Sequence, residues 1–183
     1  MSLMKKLTKN DAPKDINNHE TLMKEDDFIV SKTDSKGIIH YGNRIFVSMS
    51  GYEKEEIIGA NHNLIRHPFM PKIAFKLAWQ LISEKKEFFG FVKNLRKDGG
   101  YYWVFAYITA DKDKKGNITG YTSFRRKPSA SGLEDIIAVY NLLNEAEARG
   151  GIEASGKLLT EYLKDNKTTY EKFVHELQTG VIA

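Results

Sequence analysis

Asn63, Arg66 and His67 fall within nine residues, NLIRHPFMP from Asn63 to Pro71, and place an amide, a guanidinium and an imidazole on one loop ahead of an amphipathic stretch. A guanidinium there suits a pyrophosphate or carboxylate, which it meets with paired N–H donors. Pro68 and Pro71 fix their own φ and hold the residues before them, His67 and Met70, out of helical geometry. The polar groups are thereby presented rigidly, and Pro71 is placed to open the helix that follows.

Two further residues are positioned to act with that loop. Asn94 lies in a strand-like run, Phe88 to Lys97, where it shares a face with Gly90 and Val92 while Phe91, Lys93 and Leu95 point the other way. If the first set faces inward, the amide must find partners, because an unpaired one costs about 1–3 kcal/mol. A ring edge carrying a carbonyl beside an N–H would satisfy it, and so would backbone groups or a buried water. Trp79 follows Phe75 at helical spacing, a pairing that equally describes ordinary core packing.

The elements that must hold these residues can be read from pattern. Phe28-Ile29-Val30 and Ile38-Ile39-His40-Tyr41 flank a turn at Thr33 to Gly37 and predict two short strands. Asn43 is suited to cap a short helix carrying Ile45, Phe46 and Met49 that stops at Gly51, and a second short helix spans Glu53 to Ile58, ending at Gly59. From Pro71 to Lys85 apolar residues recur at the helical period, with Ala74, Leu77, Ala78 and Leu81 on one edge and Phe75, Trp79 and Ile82 on the next. Phe88 to Lys97, Tyr101 to Ala110 and Ile118 to Arg126, separated by turn residues, predict an antiparallel meander. This order implies an α+β domain with helices over one face of an antiparallel sheet.

Within the meander, Tyr102, Val104, Ala106, Ile108 and Ala110 form one face, tapering to small residues, and Trp103, Phe105 and Tyr107 form the other. Small residues facing inward leave volume for an aromatic ligand or for Phe75 and Trp79. The aromatic face is too apolar to stay wet, and calls for cover by an N-terminal arm, by C-terminal helices or by a second copy of the chain.

Residues 1–19 make a polar arm without apolar period, in which Met1-Ser2-Leu3 ahead of Met4 reads as a remnant of expression cloning. Residues 20–128 hold the α+β domain, and 129–183 a helical extension. In that extension Ser131 with Glu134, and Thr168 with Glu171, have capping-box spacing, and Gly150-Gly151 breaks the helical stretch.

At 183 residues, with 41% hydrophobic and 28% charged, the chain can bury one ordinary core and carry an appendage. The absence of cysteine excludes disulfides, thiolate zinc sites, iron–sulfur clusters, thiol nucleophiles and a cysteinyl–flavin photoadduct. The formal charge of +4 is dispersed among acids, as in Lys24-Glu25-Asp26-Asp27, which describes a solvated mixed-charge surface rather than a nucleic-acid stripe. No apolar run reaches the roughly eighteen residues of a membrane helix, and no signal-peptide pattern occurs. The expectation is a cytoplasmic protein without membrane insertion. His19, His40 and His175 lack metal-ligand spacing, and no nucleophile–base pair or glycine-rich phosphate loop stands out, so an enzyme is not expected.

Taken in order, GYEKEEIIG (51–59), RHPFMP, WQLI, KNLRKDGGYYWV and NITGYTSFRRKP resemble a PAS domain over roughly residues 20–128. More narrowly, they resemble the FAD-binding PAS domains of bacterial aerotaxis and energy-taxis receptors. The resemblance implies a five-stranded antiparallel sheet with helices over one face, FAD between helices and sheet, and redox sensing. Carried over residue by residue, Arg66-His67-Pro68 matches the loop associated with holding FAD, and Trp79 and Asn94 match positions that pack on and hydrogen-bond the isoalloxazine. His62 and Asn63, just upstream, are within reach of the same ligand. One departure is Phe69, where the family loop has an aspartate associated with FAD retention. Reduction turns a ring acceptor into a donor, so a facing Asn94 amide would have to reorient.

The implied function is a cytoplasmic sensor that signals redox or oxygen state to a chemotaxis transducer or other energy-taxis partner. Three alternatives stand beside it. One is a haem-binding PAS sensor with His40, His62 or His67 as axial ligand. Another binds an organic acid or aromatic molecule near Arg66. The last is a ligand-free interaction module in which Phe69 and the aromatics fill the pocket and the outer sheet face forms a homodimer.

Overall fold

A five-stranded antiparallel sheet organises the structure, a computed structural model in which residues 6–181 are described. The remnant expected at residues 1–3 lies outside the described residues. Strands β1 (Ile29–Asp34), β2 (Ile39–Gly42), β3 (Phe88–Leu95), β4 (Tyr101–Lys112) and β5 (Ile118–Arg126) pair antiparallel in the order β2-β1-β5-β4-β3. The predicted meander is β3-β4-β5, and β1 closes against β5 with Ser31 opposite Ser123 and Ile29 opposite Arg125.

Between β2 and β3 the chain forms α1 (Arg44–Ser50), α2 (Lys54–Ile57), a 3-10 turn (His62–Ile65) and α3 (Lys72–Ser83). Asn43 caps α1 by accepting the Phe46 N–H at 3.0 Å while its own amide donates to the Phe28 carbonyl at 2.7 Å. Gly51 ends the helix at φ 74°, the left-handed region that glycine enters without a Cβ penalty. Pro71, expected as the first residue of α3, instead precedes it as N-cap. Its side chain offers no acceptor to the first turn, so the Lys72 and Ile73 N–H groups donate to the Glu147 carboxylate at 3.1 and 2.9 Å.

The period-two alternation of β4 sends its residues into two separate cores. Tyr102, Val104 and Ala106 pack with Ile29, Phe46, Leu64 and Ile65 beneath the short helices. Trp103 and Phe105 join Phe91 on the opposite face, against Ile136, Tyr140, Phe173 and Val174 of α4 (Ala130–Asp165) and α5 (Tyr170–Thr179). Of the three covers expected for the aromatic face, the C-terminal helices of the same chain supply it. A homodimer seated directly on that face is displaced by them. The buried Tyr140 hydroxyl also donates to the Phe91 carbonyl at 2.8 Å, fixing α4 to the sheet backbone.

Gly150 and Gly151 leave helical geometry inside α4, the second at φ 69° and ψ −168°, a conformation reached essentially by glycine alone. The capping boxes predicted at Ser131 and Thr168 are each displaced. Ser129 precedes α4 and its hydroxyl donates to the Leu177 carbonyl at 2.7 Å, so contact with α5 sets the start two residues early. Thr169 is the N-cap of α5, accepting from the Lys172 N–H. The N-terminal arm docks on the β3–β4 turn: Tyr101 donates its N–H to the His19 carbonyl at 2.9 Å, and Thr21 to the Tyr101 carbonyl at 2.8 Å. Gly99 in that turn has φ 81°, and a Cβ there would collide with the Asp15 carbonyl.

Phe105 packs edge-on against Phe91 at 5.1 Å and against His175 of α5 at 6.1 Å, so it joins sheet to helices within one chain. Phe105→Ala is therefore expected to lower unfolding stability by about 3–5 kcal/mol in urea titration, with no dimer lost by size exclusion, because the cavity opens inside a single chain.

Candidate functional site

A cavity lies between α3, the His62–Arg66 segment and the inner faces of β1, β3, β4 and β5. It has two lobes that share His62, Asn63, Phe75, Ala78, Ile108 and Ser123, holding roughly 580 and 680 Å³ when their open mouths are counted. The enclosed part of the lobes is smaller, about 80 and 120 Å³, so the open mouths make up most of the space. The room comes from sequence: Ala74 and Ala78 stand one turn apart on α3, and Ala106 faces them from β4. Phe75 lines both lobes, but the large side chains near it do not close the space.

Polar groups project into this otherwise apolar lining. Asn94 is 4% exposed, on the same inner face as Val92, and its Nδ2 has no hydrogen-bond partner. Neither backbone nor side chain takes up the amide, so the first of the plain alternatives considered for it is absent. Arg125 is 2% exposed on β5. Its Nη2 donates to the Ser31 hydroxyl and its guanidinium lies 4.8 Å from the Phe46 ring centre, while Nε and Nη1 have no partner. Among the described residues it forms no ion pair with a carboxylate, and burial pulls its pKa down to about 10, partly opposed by Tyr102. A buried cation with two vacant donors is strongly unfavourable unless something else accepts from it.

His62 completes this wall. Its ring stacks on Phe46 at 6.0 Å, and its Nε2 lies 3.3 Å from the Ser31 hydroxyl. Burial, and next the charge of Arg125, push its pKa down to about 3, which leaves a neutral imidazole beside the guanidinium. Of His40, His62 and His67, the three histidines considered as axial ligands, only His62 lines the cavity. Among the described residues no group of three or more metal-ligating side chains occurs.

The loop residues divide. Asn63 lines both lobes, and Arg66 lines the inner one with its guanidinium 3.9 Å from the centre of the Phe75 ring. Arg66 and Asn94 are further joined by an isolated antiparallel bridge, so the loop and β3 are held in register. His67 does not line the cavity. Its Nδ1 accepts the Phe69 N–H at 3.1 Å, Nε2 is buried without a partner, and its pKa falls to about 4 through burial, then Lys93 and Lys9. It braces the turn rather than facing the space. Trp79 is 43% exposed and stands at the mouth of the outer lobe, edge-on to Tyr121 at 5.3 Å, instead of filling the interior. Phe69 does not fill it either: its ring lies 6.1 Å from Trp103 in the aromatic core on the other side.

Arg125, Ser31 and Ser123 escaped the sequence reading. Their signal was present in the alternation: along β5, Tyr121, Ser123 and Arg125 share the inward face, and Ser31 with Thr33 do so on β1. Two neighbouring strands that turn hydroxyls and a guanidinium inward mark a polar-walled cavity.

Comparison with known proteins agrees with this architecture. The family model described as PAS fold matches residues 39–125. The chain is 35% identical over 129 residues, 70% of its length, to the aerotaxis receptor of Escherichia coli (strain K12), and covers 25% of that protein. It is 28% identical over 127 residues, 69% of its length, to the nitrogen fixation regulatory protein of Klebsiella oxytoca, covering 26% of it. The chain thus spans about a quarter of these relatives. Among solved structures, a light-oxygen-voltage domain studied with a flavin analogue superposes with a TM-score of 0.53 at 25% identity, over 64% of this chain and 87% of that one.

The depressed pKa of His62 carries a pH signature. The folded protein keeps this ring neutral down to about 3, whereas the unfolded chain takes up a proton near the ordinary value of 6.5. Acid therefore favours the unfolded state across that window, and unfolding free energy measured in urea should fall as pH drops below 6.5 toward 3. His62→Gln should flatten part of the slope, His67 accounting for a further part.

Proposed function

The chain carries a PAS domain, and from that premise we propose that it is a sensory protein that binds FAD non-covalently and signals redox or oxygen state to a chemotaxis partner. Its role on this reading is signalling rather than catalysis, in the cytoplasm. One observation carries it: the Asn94 amide and the Arg125 guanidinium point into a cavity lined by alanines with donors that no protein group accepts. A planar ring edge with adjacent acceptors is complementary to such donors, and the similarity to an aerotaxis receptor favours a flavin.

When bound, a flavin supplies reversible uptake of electrons and protons at its ring edge. The chain's own residues then have distinct tasks. Asn94 carries a donor and an acceptor on one amide, and turning it over exchanges which of them meets the ring. Arg125 favours extra negative charge on the ligand, and His62 beside it stays neutral and adds no second positive charge. Phe75 and the alanines of α3 exclude water, and Asn63 and Arg66 hold the open end. Rearranging one or two such hydrogen bonds alters the balance of states by roughly 1–3 kcal/mol, enough for a several-fold response in a partner. With no cysteine in the chain, a thiol–flavin adduct plays no part.

Absorbance of freshly purified protein tests the assignment. Bands near about 370 and 450 nm that bleach on reduction are expected. A sharp Soret band would assign haem instead, and a colourless protein that stays so after FAD is added would exclude the flavin and leave the interaction module or the sensor of an organic acid or aromatic molecule. Asn94 offers a second check. Asn94→Leu should weaken flavin binding by about tenfold or more while leaving the ligand-free protein as stable as before or more so, because it removes an unpaired buried donor. Equilibrium dialysis and urea unfolding of the same variant read the two effects.

A further inference from the structure

The inner lobe opens at one end onto a polar depression bounded by Lys9, Arg66, Pro68, Lys72, Asn144 and Glu147, with Asn63, Arg66 and Met70 common to both spaces. Three cations and one carboxylate meet there. Glu147 is already engaged: its oxygens accept the Lys72 and Ile73 N–H groups, and the Ser155 hydroxyl at 3.0 Å. The cations are held by fewer contacts. Lys9, from the docked N-terminal arm, donates from its ammonium to the Arg66 carbonyl at 2.8 Å, and the Arg66 guanidinium lies 3.9 Å from the centre of the Phe75 ring.

Among the described residues neither Lys9 nor Arg66 forms an ion pair with a carboxylate. Desolvation, and next the charge of Arg66, lowers the pKa of Lys9, while desolvation lowers that of Arg66 against a weaker pull from Glu147. Glu147 offsets the charge of Arg66 only in part, so two like charges remain close together, and an anion between them lowers the penalty. The unpartnered Nδ2 of Asn94 lies deeper in the adjoining lobe, so a ligand whose ring meets Asn94 directs its tail past Arg66 to this depression.

We propose that Lys9 and Arg66 form a phosphate-binding subsite at the cavity mouth, in which the N-terminal arm supplies Lys9 to the phosphates of a flavin nucleotide. The inference rests on the flavin reading and adds to it a residue far from the pocket in sequence. It also makes the arm's docking and nucleotide binding mutually supportive, since the phosphate holds Lys9 and Lys9 holds the phosphate.

The full chain, stripped of ligand, is titrated by equilibrium dialysis with riboflavin, FMN and FAD. Wild type is expected to bind FAD at least about tenfold more tightly than riboflavin, with the difference shrinking as salt is raised. Lys9→Gln should lose about tenfold toward FAD and nothing toward riboflavin, whose unchanged binding reports an intact pocket, and Lys9→Arg should restore the affinity. Equal affinity of wild type for riboflavin and FAD overturns the subsite and leaves the flavin reading standing. So does a Lys9→Gln variant that binds FAD normally, or one that loses riboflavin and FAD alike. Failure of all three flavins to bind overturns both.

Discussion

Strands β3 and β4 each have one face for the cavity and one for the aromatic core, and the two must be filled by alternate residues of the same short segments. On β3 the inward residue Asn94 sits between Lys93 and Leu95, and on β4 the inward Ala106 sits between Phe105 and Tyr107. A slip of one residue in register would move the aromatic rings into the cavity and the amide into the outer core. The β3–β4 and β4–β5 ladders prevent this, as do the α4 and α5 side chains that grip the outward rings. The open interior therefore depends on how firmly the opposite side is closed.

That arrangement explains how the protein tolerates a guanidinium and an amide in its interior without partners. Arg125 arises from a strand paired on both sides and Asn94 from one paired along its length with β4, so the local structure does not collapse to satisfy them. Arg125 is partly accommodated by the Ser31 hydroxyl and the face of Phe46, leaving two donors directed at the space. Interiors are usually arranged to avoid this, and where the surrounding packing enforces it, stability is given up for recognition. The neutral imidazole of His62 belongs to the same compromise, because a second positive charge beside Arg125 would be still less favourable.

Much of this was legible in the chain. The meander, the helical stripe of α3 and the inward orientation of Asn94 follow from periods of two and 3.6, and these survive folding because burial rewards them directly. The loop from Asn63 to Pro71 was marked out by its prolines, but which of its residues line the cavity was not legible. His67 turns away to receive the Phe69 N–H, and Phe69 leaves the pocket for Trp103, because an aromatic core contributed by helices some 70 residues later draws it outward. Arg125 was overlooked because a basic pair at a strand end, Arg125-Arg126, looks like a solvated terminus until the partner strand shows which of the two is inside. The displaced helix starts have a similar origin: Ser129 is recruited by α5, a contact that local pattern does not contain.

Glu147 closes the first turn of α3 from a position 75 residues downstream, and Asn144, one turn earlier on the same helix, donates to the Phe69 carbonyl at 2.6 Å. The wall of the cavity is thus anchored outside the stretch that the PAS family model matches. Transplanting residues 20–128 alone into another polypeptide would export a helix with two bare terminal amides and a sheet with its rings uncovered. A faithful graft has to carry α4 along, so the portable unit is larger than its recognisable motif.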